Sequence, residues 1–146
     1  MKNSENRNNK EPYFKNLVRF GDLWLDYVLF GFEKEPLLFI CRDINDKLYF
    51  CHCYQMIYTQ KWYIAPISLY HLMDLIEKKQ DVYSVFLFAD IIIRVELEPG
   101  GEETSVVTNF DDEEKVLDMI KKDVFLETDV KCAMMYVDYI KSKGVR

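Results

Sequence analysis

The chain has 146 residues, of which 49% are apolar and 15% aromatic, and carries a net charge of −6 with an isoelectric point near 5.0. That length suits one domain able to bury roughly two-thirds of its unfolded surface. An acidic chain without a dense lysine or arginine stripe repels phosphate backbones, which excludes nucleic acid as the expected partner. The longest apolar run, Val85 to Ile93, falls far short of a membrane span and is broken by Asp90, which excludes a membrane as well.

Met1 to Pro12 is polar and Asn-rich, and residues 1–12 are expected to be a disordered tail. It has no apolar run of the secretory kind, so a cytoplasmic location follows, in which Cys41, Cys51, Cys53 and Cys132 stay reduced. Tyr13 to Phe20 reads as a short helix or an entry strand. Leu23 to Phe32 is apolar on both alternating faces except at Asp26, as in a strand that is central or covered on two sides. Leu37 to Arg42 and Leu48 to Gln55 form a hairpin around Asp43-Ile44-Asn45-Asp46-Lys47, and Trp62 to Ile67 follows as the next strand.

Ser68 suits an N-cap, and Leu69, Leu72, Met73 and Ile76 follow at helical spacing in a helix ending near Lys78-Lys79. Asp81 to Phe86 reads as one further helical turn. Ala89 to Glu98 is a strand with Val95 and Leu97 inward, and Thr104 to Asn109 is its hairpin partner across Pro99-Gly100-Gly101. Asp111 to Glu114 opens a second helix with apolar residues Val116, Leu117, Ile120 and Val124, and with Lys121 and Lys122 in its last turn. Thr128 or Asp129 caps a third, at about 128–143, whose inward residues are Val130, Ala133, Met134, Val137 and Ile140. The expected fold is a single α+β domain over residues 13–146: an antiparallel β-meander of four to five strands packed by two to three helices on one face.

Cys51-His52-Cys53 offers the sharpest chemistry. If the hairpin closes around Asn45, Cys41 lies opposite Tyr49, and Cys41, Cys51 and Cys53 share one face while His52 takes the other. Three thiolates with His71 as a fourth ligand would make a zinc site. Structural zinc prefers C-x₂₋₄-C knuckles, however, and free cysteine is a common buried residue, so a core role is the preferred account. His52 cannot easily activate cysteines that point the other way, and His71, with Asp74 three residues on, is read as a half-buried helix residue. No catalytic, cofactor-binding or phosphate-loop residue is assigned: G-x-x-x-x-G-K-[ST] and G-x-G-x-x-G are both absent.

Tyr49, Tyr54, Tyr58, Trp62 and Tyr63 are the candidate interaction residues, because some of these rings share a sheet face and ten Tyr with ten Phe exceed what the core can hide. The stretch L-L-F-I-C-R-D (Leu37 to Asp43) followed by Y-I-A-P-I-S (Tyr63 to Ser68), Leu72 and Phe86 resembles an uncharacterised family of small bacterial domains with the pattern L-L-F-x-C-x-D … Y-x-x-P-I-S. The resemblance spans about Trp24 to Glu98, implies a bacterial or phage accessory protein, and brings no catalytic residues. The expected function is therefore a non-enzymatic interaction factor of the immunity, antitoxin or defence-related type, binding a protein partner through an aromatic, acidic surface. The alternatives are a small-ligand or nucleotide-sequestering protein and a cysteine-based zinc protein. A homodimer could form through Val28-Leu29-Phe30 or the C-terminal helix.

Overall fold

Strand order equals chain order. A computed structural model describes residues 10–32, 35–108 and 120–146. Among them β1 (Phe14–Leu17), β2 (Gly21–Phe32), β3 (Glu35–Arg42), β4 (Leu48–Gln55), β5 (Gln60–Pro66), β6 (Ile92–Leu97) and β7 (Glu103–Thr108) form one seven-stranded antiparallel sheet in the order β1 to β7. The described helices are α1 (Leu69–Ile76), α2 (Tyr83–Leu87) and α3 (Val130–Ser142). None of them is long and apolar enough to cross a membrane.

The expected four to five strands are thus too few. Tyr13 to Phe20 and the expected Thr104 to Asn109, whose last residue lies outside the described residues, both supply strands, for an identifiable reason. β7 folds back on β6 through a turn closed by Gly101, at φ +87, whose N–H donates to the Glu98 carbonyl. β1 buries Phe14 and Leu17 over the end of the sheet. The Val18 N–H donates to Ser105 Oγ at 3.1 Å, and the Glu103 carboxylate accepts from the Lys15 backbone, so the first and last strands meet. The sheet curls toward a barrel, closed by side chain to backbone bonds rather than by a ladder.

Curling creates two cores from one sheet, because successive strand residues face opposite ways. Phe39, Cys41, Tyr49, Cys51, Trp62, Ile64, Ile93 and Val95 fill the inside with Phe14, Leu17 and Leu23. Ile40, Leu48, Phe50, Tyr63, Ala65 and Ile92 face outward and carry the helices. β3, β4 and β5 are therefore the strands covered on both sides, which explains their nearly unbroken apolar sequence. β2 is not, contrary to its sequence: Val28, Phe30 and Phe32 are exposed although the strand stays paired with β3 there, and only Leu29 of the Val28-Leu29-Phe30 run is buried.

The helices sit where their caps place them. Ser68 Oγ accepts the His71 N–H at 3.1 Å, and Leu69, Leu72, Leu75 and Ile76 bury one stripe of α1. α1 ends before Lys78, which takes a left-handed φ of +61. Asp129 Oδ1 accepts the Cys132 N–H at 3.0 Å to start α3, which buries Ala133, Val137 and Ile140 and leaves Val130 exposed. Thr128 Oγ1, the other expected cap, donates instead to the Leu29 carbonyl.

Two sequence expectations fall partly outside the described residues. Met1 to Asn9 of the expected tail does so, while Lys10 accepts a 3.1 Å hydrogen bond from Trp24 Nε1 and is thereby tied to β2. Asp111 to Met119 of the acidic helix does so too, and Ile120 to Val124, which should have finished that helix, is turn and coil.

Candidate functional site

The strand register settles where the cysteines go. Cys41 pairs with Tyr49 and Phe39 with Cys51, so Cys41, Cys51 and Cys53 share the inner face and His52 points outward, as alternation requires. Cys41 and Cys51 are fully buried and hydrogen-bonded to each other. Burial pushes the Cys51 thiol well up, and the bond to Cys41 adds to it, so the thiolate needed by a metal or an electrophile is disfavoured. Cys53 is also raised by burial, and its Sγ lies 3.1 Å from Met56 Sδ. His71 belongs to α1, which packs on the outer face, so the sheet separates it from the thiols. No cluster of three or more metal-ligating side chains occurs among the described residues.

The five candidate aromatics do not make one surface. Tyr49 and Trp62 are buried in the inner core, where Tyr49 Oη donates to Asp43 Oδ2 at 3.2 Å. Trp62 Nε1 is buried without a hydrogen-bond partner among the described residues. Tyr63 is buried on the outer face with Tyr54 stacked on it at 4.3 Å. Tyr58 alone is bare, 88% exposed in the β4–β5 turn at φ +63. The rings that sequence reading grouped by proximity are divided by alternation between two cores and a turn.

His71 and Ser84 present a pair that resembles a nucleophile and its base, with Nε2 2.7 Å from Oγ. The proton ledger argues otherwise. Ser84 Oγ donates to the Asp81 carbonyl at 2.7 Å, so the imidazole must donate to Oγ, the reverse of base activation. Ser84 is also buried, which keeps a substrate away. Burial lowers the His71 pKa, against the raising influence of Asp74 and Asp81. Asp81 Oδ1 accepts from the Ser84 N–H and Oδ2 from the Asp123 N–H, so the group ties α1, α2 and the chain after Ile120 together.

A second buried polar group escaped sequence reading. Trp24 pairs with Arg42, Leu25 with Cys41 and Tyr27 with Ile40, so Asp26 is the extra residue of a β-bulge. The bulge lets Asp26 Oδ1 meet Arg42 Nη2 at 2.9 Å, and Tyr136 of α3 donates to Oδ2. Arg42 also faces Asp46 at 3.6 Å. Burial and the Asp26 charge raise the Tyr136 pKa, so the phenol stays protonated. With Tyr27 and Tyr136 stacked at 4.5 Å, this cluster holds α3 to the sheet. The sequence signal was the single charge in Leu23 to Phe32.

Among the described residues, the outer face leaves open grooves and bare side chains, and two of the grooves carry polar groups. The larger groove, about 460 Å³, lies between α1 and the end of α3, with Leu69, Tyr70, Met73 and Val145 as its apolar lining and Lys141 and Arg146 as its charges. Tyr70 on its edge is 75% exposed. Phe88, 67% exposed, lies 6.0 Å from the ring of His71, the residue after Tyr70 on α1. Tyr70 was legible as an outward residue, since it falls off the Leu69, Leu72, Ile76 stripe. The smaller groove, about 240 Å³, is lined by His52 and Lys121 together with Leu38, Val82 and Ile120. No family model, curated protein or solved structure matches the chain, so residue chemistry and geometry alone carry the functional reading.

Proposed function

We propose that the protein is a non-enzymatic interaction factor that docks a partner segment on its helical face, at the groove between α1 and α3. The observation that supports this most is the bare ring of Tyr70 on the edge of a groove with an apolar lining, with bare Phe88 against the next residue of α1. Exposed aromatics next to a concave apolar surface are what the centre of a protein interface is made of, and a chain gains nothing from them while they face water. Lys141 and Arg146 contribute two cationic side chains to the groove of a protein whose net charge is −6. The local charge thus selects a partner segment bearing carboxylates among apolar residues. This departs from the acidic aromatic surface expected from sequence, whose five rings are divided between two cores and a turn. Placement among immunity, antitoxin or defence-accessory factors of bacterial or phage origin is part of the same proposal, and rests on the L-L-F-x-C-x-D … Y-x-x-P-I-S likeness.

Selection of a random-peptide display library on the folded protein tests the reading. Enriched sequences should pair large apolar residues with Asp or Glu, and should lose at least about tenfold in affinity on the double variant Tyr70→Ser, Phe88→Ser. Lys141→Glu should cost the acidic peptides more than their Asn/Gln counterparts. Selection without a consensus, or a consensus bound equally by the double variant, would remove the proposal.

A further inference from the structure

We propose that the groove at His52 is a binding site for a small amphipathic carboxylate, with an apolar body of a few carbons and one anionic end. His52 stands on the outer face of β4, directly opposite Leu38 of β3 and Tyr63 of β5, with the Phe86 ring edge-on at 6.3 Å. Every one of these neighbours is aromatic or aliphatic. The ordinary explanation of a core histidine is a hydrogen bond to a buried partner, but Nδ1 is buried and has none among the described residues. An imidazole there costs stability relative to a leucine or phenylalanine, and internal packing does not account for it.

The chemistry of the ring then fixes what it offers. A carboxylate in the groove would select the tautomer with its hydrogen on Nε2, the nitrogen across the ring from the buried Nδ1. With Nδ1 enclosed, we assign the Nε2–Cδ2 edge to the groove that His52 lines. That edge presents a donor. Burial holds the ring neutral by lowering its pKa. Lys121 on the same groove supplies the positive charge. A neutral donor and an ammonium group together match a carboxylate, whereas an amine would meet repulsion.

Size and rigidity narrow the class. The groove of about 240 Å³ lies at the small end of ligand sites and suits a body of a few carbons. Val124 and Phe125 complete its apolar wall with Leu38, Val82 and Ile120. That wall is fixed in advance: the Val82 N–H donates to the Val124 carbonyl at 3.0 Å, the Asp123 N–H to Asp81 Oδ2 at 2.8 Å, and Ile120 and Leu126 are buried on either side. A preformed site spends little of its binding energy on ordering.

Sodium hexanoate is a probe of the right length, and hexan-1-ol and hexylammonium share its chain without its charge. Long-range ¹H–¹⁵N correlations of the two imidazoles, with backbone amides, report where each binds. Hexanoate should move the His52 Nε2 resonance and the amides of Ile120 to Phe125 saturably and leave His71 in place. Hexanol should bind about fivefold more weakly or worse, and hexylammonium not at all. Val124→Trp, which fills the groove from a half-exposed wall without touching either core, should weaken hexanoate by about tenfold or more. Lys121→Gln should erase the preference for hexanoate over hexanol. Absence of a saturable shift at tens of millimolar hexanoate, equal affinity for the alcohol in the parent protein, or binding unchanged by Val124→Trp each overturns the proposal.

Discussion

The two faces of the sheet are built from alternate residues of the same strands, yet they behave as different materials. Inside, Phe39, Cys41, Cys51, Trp62 and Ile64 pack with Phe14 and Leu17 in a layer whose polar atoms are sulfurs, a tyrosine hydroxyl and one indole nitrogen. Outside, Asp26 with Arg42 and Tyr136, His52, and His71 with Ser84 all lie among apolar neighbours. A curled sheet fills its own interior, since side chains converge from several sides at once. The outer face must be tiled by helices, of which the described ones have 8, 5 and 13 residues and leave gaps at their ends. Polar groups and grooves gather in those gaps. Stability should therefore be concentrated on one face and recognition on the other.

The contrast can be broken most severely from inside. Phe39→Ala should cost about 3–5 kcal/mol in urea unfolding, because a fully buried ring leaves a void that the closed sheet cannot fill. Peptide and hexanoate binding per folded molecule should not change, and a matching loss of binding would refute the division of labour. On the outer face Arg42→Met should cost about 2 kcal/mol, less than a fully enclosed pair would, since Asp26 keeps Tyr136 and is partly exposed. Adding Tyr136→Phe to that variant should cost less than it does in the parent, and strict additivity would mean the three groups do not form one network.

Smaller effects sharpen the boundary. Tyr58→Gly should stabilise by up to about 1 kcal/mol, because a bare tyrosine at φ +63 carries left-handed strain that glycine does not. Peptide binding should be untouched, and a loss would restore Tyr58 to the interaction surface. The last effect is one of slope. Burial lowers the pKa of both His52 and His71 below the ordinary 6.5, so the unfolded chain takes up protons that the folded one refuses. Their contribution is complete above pH 6.5 and is lost as pH falls through the folded values. His52→Phe should flatten the fall in melting temperature between pH 7 and pH 5 relative to the parent; an unchanged slope would mean that His52 is not desolvated.

Local chemistry was legible in the sequence, and long-range closure was not. Period-two alternation put Cys41, Cys51 and Cys53 on one face with Cys41 opposite Tyr49, and Ser68 and Asp129 announced their helices. The curl escaped because it depends on contacts such as Val18 with Ser105, 87 residues apart, which no local pattern encodes. The bulge escaped too, since strict alternation cannot place an extra residue, and Asp26 reaches Arg42 only as that extra residue. The aromatic surface was misread because composition shows a surplus of rings without saying which are covered. Tyr49 and Tyr58 are both tyrosines near a turn, and only register distinguishes the buried one from the bare one.

A chain in which each strand pairs with the strand before it can be assembled in the order of its synthesis. As β3 leaves the ribosome its partner β2 is already waiting, and the same holds for every later strand. Such sequential pairing avoids the long loop closures that slow other β-proteins and leave them open to aggregation. The exceptions are the meeting of β1 with β7, where Val18 bonds to Ser105, and α3. Its bond from Tyr136 to Asp26 spans 110 residues, and the Thr128 bond to Leu29 just before it spans 99. The stacked tyrosines and the α1–α3 groove can therefore form only after the meander is complete, and whatever binds there recognises a chain that has finished folding.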